Sequence, residues 1–316
     1  MGKISVIIPT HNRAELLPRA VKSVQSQIRP VDEIIIVSDG STDDTEEIVK
    51  RFAEEDERIR LIAYHPGQNG NYARNRGIEA ATGEFIAFLD DDDEWLPGKT
   101  ELQMALFEKN QEVGLVYSGQ NCIYTDTGVS YQTHPMWKGD LSQKIFLRGE
   151  IGTPSQVMVR KSVLDQTGPF DLELAALQDY DLFIRCCLIT KVDYVPEPCI
   201  NYYNSAKTNQ VSSNTENYIR SRLYIREKYR EEIAKYGKDF ENKVDIILWN
   251  RIAERCLRNG QNKDARRYIL KAWKIKPSKV SVMLFAASFF PYPFIVRVRS
   301  AVKKGKTYQH IKNMWS

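Results

Sequence analysis

The chain lacks the glycine-rich loops by which many nucleotide-binding enzymes are recognised. No Gly-x-Gly-x-x-Gly motif follows the first apolar segment, and no complete P-loop motif, Gly-x-x-x-x-Gly-Lys-Ser/Thr, occurs in the 316 residues. These absences exclude the usual dinucleotide site and the P-loop enzymes. A nucleotide, if bound, has to be held by other elements.

Cysteine and spanning apolar segments are also scarce. The five cysteines show neither disulfide nor metal-ligand spacing, which predicts reduced, mostly buried thiols in a cytosolic protein. A strand pattern begins directly after Gly2, so no signal peptide is expected. The uncharged stretch Val280–Val296 is interrupted by Pro291 and Pro293 and is short of the ~20 residues needed to span a bilayer.

Charge of each sign is concentrated in a different part of the chain. Residues 1–217 carry 21 Lys and Arg against 33 Asp and Glu, whereas residues 218–316 carry 24 against 8. A basic tail on an acidic body indicates a partner, which is nucleic acid, an anionic membrane or the body itself. The basic residues are interleaved with Leu, Ile and Trp at helical spacing, and no recognised nucleic-acid motif is present, so nucleic acid is disfavoured.

The strongest single pattern is the apolar run Phe85–Leu89 followed by four carboxylates, Asp90–Asp93. The run predicts a strand buried on both faces, with the acids at its carboxyl end, where open α/β sheets bind ligands. Four adjacent carboxylates need a counter-charge, and a divalent cation with substrate phosphates supplies one. From this run alone, a solvated acidic turn is an equally good interpretation.

Strand and helix patterns alternate upstream of this run. Apolar strands are predicted at Ile4–Ile8, Glu33–Val37 and Ile59–Tyr64, and Asn12 with Glu15 is predicted to form a capping box for the first helix. The alternation predicts βαβ units and a parallel sheet. Polar residues follow three of the strands, so their ends converge on one edge suited to a nucleotide diphosphate and its metal.

Four ordered motifs resemble glycosyltransferase family 2. They are Val6-Ile7-Ile8-Pro9-Thr10-His11-Asn12-Arg13, Val37-Ser38-Asp39-Gly40-Ser41-Thr42-Asp43, Ala73-Arg74-Asn75-Arg76-Gly77, and Gly83 through Asp93 with Trp95 and Pro97. The resemblance covers about residues 3–215. It implies the GT-A fold, which is a Rossmann-like, mostly parallel α/β sheet with flanking helices. It also implies transfer of a sugar from a nucleotide donor with inversion, using Mg²⁺ or Mn²⁺.

The resemblance also implies a role for individual residues of the nucleotide site. Pro9, Thr10 and Asn12 would line this site near the base and the ribose, and Asp39 would hydrogen-bond the edge of a uracil-type base. Arg74 would approach the base or the phosphates. His11 is interpreted as a packing or stacking residue, and Ser38 stands where the family often has a further acid.

The same resemblance assigns the acidic run. Asp91 would touch the ribose or the sugar, while Asp90 and Asp92 occupy the metal motif, with Asp92 the first choice as ligand. Asp43 and Asp44 are instead interpreted as first-turn acids that interact favourably with a helix dipole.

The second half of this region is expected to carry the acceptor side, with an irregular loop over 120–150 and a strand at Pro154–Arg160. Asp179 matches the family's catalytic base, although Gln178 replaces the acid before it and helix N-capping is the alternative role. Asp181 and Arg185 are predicted to form a structural ion pair. The expected histidine is missing from 201–207, so Asn204 or Lys207 would address the phosphates, or the metal lacks a ligand there.

The region 218–316 lies outside the resemblance and is predicted to be an α-helical extension. A charged helix is expected over Tyr218–Tyr236, and eight residues fit one tetratricopeptide-like hairpin: Trp249, Ala253, Leu257, Gly260, Ala265, Tyr268, Ala272 and Pro277. The uncharged stretch Val280–Val296 and the basic residues after it predict either a membrane-interface anchor or a core helix with a solvated tail.

The sequence therefore predicts a GT-A domain at 1–217, with a nucleotide-binding half at about 1–110 and an acceptor half at about 111–217. The expected function is metal-dependent inverting transfer from a UDP-sugar to a glycan, free or polyprenyl-linked, in bacterial capsule, O-antigen or exopolysaccharide synthesis. Such an enzyme would be cytoplasmic or peripheral on the inner face of the membrane. The alternatives are a sugar nucleotidyltransferase, which would need a glycine-rich basic loop after the first strand, and a non-catalytic scaffold.

Overall fold

The computed structural model describes residues 2–126, 128–148, 151–204, 214–292 and 294–295. These residues divide into two compact units. The first unit takes the described residues within 2–145, 151–174 and 178–204, and the second takes 146–148, 175–177 and those from 214 onward. The functional division of the chain at residue 217 stays a prediction.

The first unit is built on one mixed sheet. Its strands are β1 (Ile4–Thr10), β2 (Glu33–Asp39), β3 (Ile59–Tyr64), β4 (Phe85–Phe88), β5 (Glu94–Trp95), β6 (Val113–Tyr124), β7 (Val129–Thr133), β8 (Met158–Arg160) and β9 (Lys191–Asn204). Their order is β3-β2-β1-β4-β8-β6-β9-β5, and β7 pairs with β6.

Helices flank this sheet, and others form the second unit. The helices are α1 (Leu17–Gln25), α2 (Thr45–Glu55), α3 (Gly70–Ala80), α4 (Lys99–Lys109), α5 (Lys144–Arg148), α6 (Lys161–Thr167), α7 (Gln178–Ile189), α8 (Thr215–Lys228), α9 (Arg230–Ala234), α10 (Lys238–Arg258), α11 (Asn262–Ile275) and α12 (Lys279–Ala287). The predicted α/β architecture with a helical C-terminal region is thereby confirmed.

The half predicted to bind the nucleotide contains the parallel part of the sheet. β1 pairs in parallel with β2 and β4, and β2 pairs in parallel with β3. Every residue of β1, β2 and β4 is buried, as expected for strands covered on both faces. Because these strands run the same way, Thr10, Asp39 and the chain after Phe88 emerge at one edge.

The half predicted to carry the acceptor side contains the antiparallel strand pairs. β8 runs antiparallel to β4 and β6, whereas β6 and β9 are parallel. The strand predicted at Pro154–Arg160 begins as a 3₁₀ turn over Pro154–Gln156 and becomes a strand only at Met158. The Gln156 side chain accepts a hydrogen bond from Thr153 N at 2.9 Å, which stabilises the turn instead of an extended chain.

Two local predictions are wrong. The irregular loop expected over 120–150 is wrong for 120–133, because β6 continues to Tyr124 and pairs with β7, whereas 134–143 contains no helix or strand. β7 alternates Val129 and Tyr131 with Ser130 and Gln132, but the pattern is only five residues long and the strand is exposed along most of its length, so it does not stand out from the polar residues around it. The capping box is also absent, since α1 begins at Leu17 without a side-chain cap and Asn12 makes other bonds.

The second unit has its own helical core. The residues predicted to form the hairpin lie mostly on α10 and α11, where Trp249 stacks on Tyr268 with ring centroids 6.0 Å apart. Leu284 of α12 and Tyr218 of α8 bury against this pair of helices, so other elements cover the face that a single repeat would expose. The charged helix expected over 218–236 is divided into α8 and α9 at Tyr229. None of the helices in the described part of the chain is long and apolar enough to cross a membrane.

Candidate active site

The loops after β1 and β2 are tied together at the carboxyl edge of the sheet. His11 Nδ1 lies 2.7 Å from the carbonyl oxygen of Asp39, and Asn12 Oδ1 accepts a hydrogen bond from Thr42 N at 2.7 Å. The backbone N–H of Asn12 donates to Ser41 Oγ at 3.1 Å. These bonds bring two predicted nucleotide-binding residues, Asn12 and Asp39, to the same edge.

The Asp39 carboxylate is fixed by a close approach of two backbone segments. Gln68 N donates to Asp39 Oδ1 at 2.6 Å. Gly40 has φ +70°, and a Cβ there would lie 2.4 Å from Gly67 N. A Cβ on Gly67 would in turn lie 2.6 Å from Asp39 O, so both positions require glycine. The carboxylate is therefore oriented by a backbone amide before a ligand arrives.

The four carboxylates after β4 form a turn, here called the acidic turn (Asp90–Asp93), which is closed by a bond from Asp93 N to Asp90 O at 3.0 Å. Ser155 holds both ends of it. Ser155 Oγ accepts from Asp90 N at 3.0 Å and donates to Asp93 Oδ2 at 2.6 Å. Asp93 is fully buried, and burial raises the pKa of its carboxyl well above the ordinary value.

Arginines from separate parts of the chain surround the acidic turn. Arg74 on α3 forms an ion pair with Asp90, with Nη2 2.5 Å from Oδ1. Arg13, in the loop after β1, places Nε 3.9 Å from Asp91 Oδ1. Arg19 on α1 donates to the backbone of the turn through its guanidinium. The turn is thus partly neutralised by side chains that the sequence places far apart.

Part of the negative charge nevertheless stays uncompensated. Burial raises the pKa of Asp91 to about 7, although the Thr10 hydroxyl opposes the rise. Burial and the charge of Asp90 also raise the pKa of Asp92. Among the residues that the structure describes, none donates a hydrogen bond to the Asp92 carboxylate from another position. A cation at this turn would relieve the repulsion.

The donor set fits a metal that is shared with a substrate. Among the described residues, no three His, Cys, Asp or Glu side chains are grouped so as to hold an ion by themselves. Mg²⁺, however, is usually bound through one or two carboxylates together with substrate phosphates. Asp90 and Asp92 offer that number of carboxylates, and burial together with the charge of Asp90 raises the pKa of Asp92 against the opposing charges of Arg13 and Arg19.

Asp179 lies in the first turn of α7, which begins at Gln178, so it is not the N-cap residue. Its Oδ1 accepts a hydrogen bond from Tyr180 N at 2.8 Å. Burial raises the pKa of the Asp179 carboxyl, the Tyr180 N–H and the Arg74 charge oppose the rise, and the Asp90 charge adds to it. Asp179 is therefore close enough to Arg74 and Asp90 to share one electrostatic environment with them.

Helix α3 positions both sides of this arrangement. Asn71 donates to two carbonyl oxygens of the segment 170–174, at 3.1 and 2.9 Å. Asn75 exchanges two hydrogen bonds with Phe170, at 2.7 and 2.8 Å. The same helix carries Arg74, so the segment leading to α7 and the cation that pairs with the acidic turn share one support.

In the described ranges, two residues other than glycine have positive φ, Asn12 at 51° and Leu177 at 61°. Asn12 lies in the nucleotide motif of the first unit, and asparagine adopts this conformation more readily than most residues. Leu177 belongs to the second unit, where it packs against the helical core.

The remaining predicted residues have mainly structural surroundings. Pro9 is buried inside β1, opposite Val37 in the register. The predicted ion pair is present, with Arg185 Nη2 2.9 Å from Asp181 Oδ2. Asn204 ends β9 and accepts a backbone bond from the β6–β7 turn, while Lys207 lies outside the described residues.

Sequence reasoning missed three residues that shape the acidic turn: Arg13, Arg19 and Ser155. Arg13 is the last residue of the first motif, and this position beside the predicted site was the one available signal for its role. The position of Arg19 in the sequence is typical of the solvated face of a helix, so it gives no sign of a contact with the acidic turn. Ser155 lies 62 residues from Asp93 in the chain. Only the fold brings these two to the turn.

The comparisons with known proteins agree with this geometry. Residues 5–168 match the family described as Glycosyl transferase family 2, which is more than half of the chain. The chain belongs to this family. The glycosyltransferase activity expected from the motifs is thereby confirmed, and neither a nucleotidyltransferase nor a scaffold is supported.

One sequence relative and two solved structures illustrate what this family 2 member is similar to. It is 37% identical over 173 residues to the GalNAc(5)-diNAcBac-PP-undecaprenol beta-1,3-glucosyltransferase of Campylobacter jejuni, which covers 52% of this chain and 54% of that one. Its fold is similar to Staphylococcus aureus TarS 1–349 in complex with UDP-GlcNAc, with a TM-score of 0.64, 20% identity, and coverage of 88% and 82% of the two chains. It is also similar to mannosyltransferase PcManGT from Pyrobaculum calidifontis in complex with GDP-Man and Mn²⁺, with a TM-score of 0.59, 17% identity, and coverage of 99% and 84%.

The role of Ser155 in this glycosyltransferase can be measured directly. Ser155→Ala removes the donor to a fully buried carboxylate, so we expect the free energy of unfolding to fall by about 1–3 kcal/mol in urea titrations. Adding Asp93→Asn should recover part of the loss, because the buried charge is gone. The exposed Ser162 on α6 provides the control, and Ser162→Ala should change stability by less than about 0.5 kcal/mol. Equal effects of the two single variants would contradict this role.

Proposed function

We propose that this glycosyltransferase moves a sugar from a UDP-sugar to a hydroxyl of a glycan with inversion, using Mg²⁺ or Mn²⁺. The observation that carries the proposal is the shared environment of Asp179, Arg74 and Asp90, which come from three separate stretches of the sequence. In this environment the Asp179 carboxyl has a raised pKa and lies near the positive charge of Arg74 and the negative charge of the acidic turn. Such an arrangement is expected where a proton is transferred beside a charged leaving group.

The donor would lie along the carboxyl edge of the parallel strands. Asp39 is oriented by Gln68 N and would accept from the edge of a uracil-type base, while Thr10 and Asn12 would line the base and ribose region. Arg74 would approach the phosphates, and Asp91 the ribose or the sugar. A UDP-sugar is preferred because TarS, which has a similar fold, has been observed with UDP-GlcNAc.

Asp92 and Asp90 would hold the cation. When bound, a divalent cation supplies positive charge that stabilises the departing diphosphate. The proposal is supported by the raised pKa of Asp92 and by the two carboxylates that the turn offers. The fold relative PcManGT has been observed with Mn²⁺, which is consistent with either metal.

Asp179 would act as the base. Its carboxylate would accept the proton of the acceptor hydroxyl, whose oxygen attacks the anomeric carbon as the bond to the diphosphate breaks. A single displacement of this kind inverts the configuration. Because burial raises the pKa of Asp179, its proton affinity is closer to that needed at neutral pH than the affinity of an exposed carboxylate.

The acceptor would be a surface glycan, free or on a polyprenyl carrier. The relative from Campylobacter jejuni is named for an undecaprenol-linked substrate, and it matches about half of this chain. A capsule, an O-antigen or an exopolysaccharide would each provide such an acceptor in a bacterium.

Peripheral contact with the inner face of the membrane is a further part of the proposal. Phe289, Phe290 and Phe294 are 62%, 46% and 48% exposed at the end of the described chain. Aromatic rings next to basic residues are typical of a segment that lies in a membrane interface. The basic residues expected to assist, 297–306, lie outside the described residues.

The metal site is tested by Asp92→Asn, which preserves volume and removes charge. We expect the affinity for Mn²⁺ in the presence of UDP to fall at least about tenfold in calorimetric titrations, because the second carboxylate is lost. Asp165→Asn on the exposed face of α6 should bind Mn²⁺ like the unmodified chain. Unchanged affinity in Asp92→Asn would remove Asp92 from the metal site.

The base is tested by Asp179→Asn. Turnover should fall by about 10²–10⁴-fold, whereas affinity for UDP stays within about twofold, since only proton transfer is lost. In the unmodified chain, turnover should rise with pH through the raised pKa of Asp179, because the base must be ionised. Glu173→Gln, at an exposed acid of the preceding segment, is the control. Turnover within a few-fold in Asp179→Asn would place the base elsewhere, with Asp181 the next candidate.

Membrane contact is tested by co-sedimentation with vesicles containing phosphatidylglycerol. Replacing Phe289, Phe290 and Phe294 by serine should weaken binding at least about tenfold, because the buried apolar area is lost. Ile28→Ser, which alters a 62% exposed residue of the other unit, should leave binding unchanged. Equal recovery of the triple variant and the unmodified chain, or binding that is indifferent to salt, would rule out the docking role.

A further inference from the structure

One face of the β6–β7 hairpin and β9 is aromatic and carries no charged residue. Cys122 on β6 pairs with Tyr131 on β7 and with Tyr202 on β9, so the three side chains share one face. Tyr124 lies two residues beyond Cys122 and therefore points the same way. We call Tyr124, Tyr131 and Tyr202 the tyrosine platform.

Tyr131 presents ring surface to solvent, Tyr124 is half-buried beside it, and Tyr202 is half-buried where the platform meets the hydrophobic core. Tyr131 is 47% exposed, and the rings of Tyr124 and Tyr131 stack with centroids 6.0 Å apart at an interplanar angle of 26°. Their hydroxyl oxygens are 3.5 Å apart. The face from Tyr131 across to Tyr202 spans two strand spacings, about 10 Å. This surface therefore combines aromatic faces with a rim of phenol hydroxyls.

The platform is continuous with the candidate active site. β5 follows the acidic turn directly and pairs antiparallel with β9, with Glu94 opposite Asn201 and Trp95 opposite Ile200. Continuing that register by one residue sets Asp93 opposite Tyr202. Burial raises the pKa of the Tyr202 hydroxyl, and the nearby charges of Asp93, Asp92 and Asp90 add to the rise. A ligand lying on the platform would thus reach the edge of the turn.

We propose that the tyrosine platform binds the neutral sugar rings of the acceptor glycan. The C–H faces of a pyranose stack on the electron-rich faces of aromatic rings, and its hydroxyls match the phenol groups at the rim. The absence of charge on Gln120, Cys122, Val129 and Thr133 of this face suits a neutral glycan better than a phosphate or a peptide of either charge. This assignment rests on the proposed function, because it names the acceptor side of the same site.

The experiment uses the full chain and measures binding without turnover. Chitobiose, cellobiose and octyl β-glucoside are titrated by saturation-transfer NMR. We expect transfer to sugar-ring protons, with Tyr131→Ala and Tyr124→Ala each weakening disaccharide binding about tenfold, or about 1.4 kcal/mol. Tyr131→Phe keeps the ring and should bind within about twofold. Tyr224→Ala, at a 40% exposed tyrosine on α8, should bind like the unmodified chain.

Three results would overturn the proposal. They are no ring-proton transfer from either disaccharide, unchanged affinity in both alanine variants, and transfer confined to the octyl chain, which would indicate a lipid surface. Hydrolysis of UDP-sugars by the unmodified chain is recorded separately. If hydrolysis is absent while disaccharide binding follows the variants as expected, the platform stands and the proposed catalytic function fails.

Discussion

Electrostatic repulsion within the acidic turn is the constraint on which the candidate site depends. Four consecutive carboxylates end a fully buried strand, and burial raises the pKa of Asp91, Asp92 and Asp93. Two groups reduce this repulsion: the Arg74 guanidinium forms an ion pair with Asp90, and the Ser155 hydroxyl donates a hydrogen bond to Asp93. These two groups do not neutralise all of the negative charge on the turn. The remaining charge would attract a divalent cation, and the cation could in turn bind a diphosphate.

Helix α3 gives this turn its relation to the proposed base. Its Arg74 pairs with the turn, while Asn71 and Asn75 hold the segment that leads into α7. The carboxylate of Asp179 consequently senses the charges of both Arg74 and Asp90. One helix thereby contacts both the acidic turn and the segment before the proposed base, so a shift of α3 would alter both together.

The parallel half of the fold could be predicted because β1, β2 and β4 are mainly apolar, as expected of strands covered on both faces. The acidic turn could be predicted because an apolar run ends in four carboxylates. The role of Asp179 comes from the family resemblance and stays a prediction. The hairpin of β6 and β7 was not predicted because β7 is short and exposed, and its five-residue alternation of Val129 and Tyr131 with polar residues is too brief to distinguish it from a loop. The contacts of Ser155 and Arg19 with the acidic turn could not be predicted, because residues that are distant in the chain leave no local sequence pattern when they meet. The predicted N-cap at Asn12 is absent because its side chain accepts a hydrogen bond from Thr42 N instead.

The central claim is a single displacement at the anomeric carbon, in which Asp179 takes the acceptor's proton. The most direct test is the configuration of the product formed from a panel of UDP-α-sugars, read from the anomeric coupling constant by proton NMR before mutarotation occurs. Inversion predicts the β-configured product as the first species to appear. An α-configured first product would contradict a single displacement and with it the role assigned to Asp179.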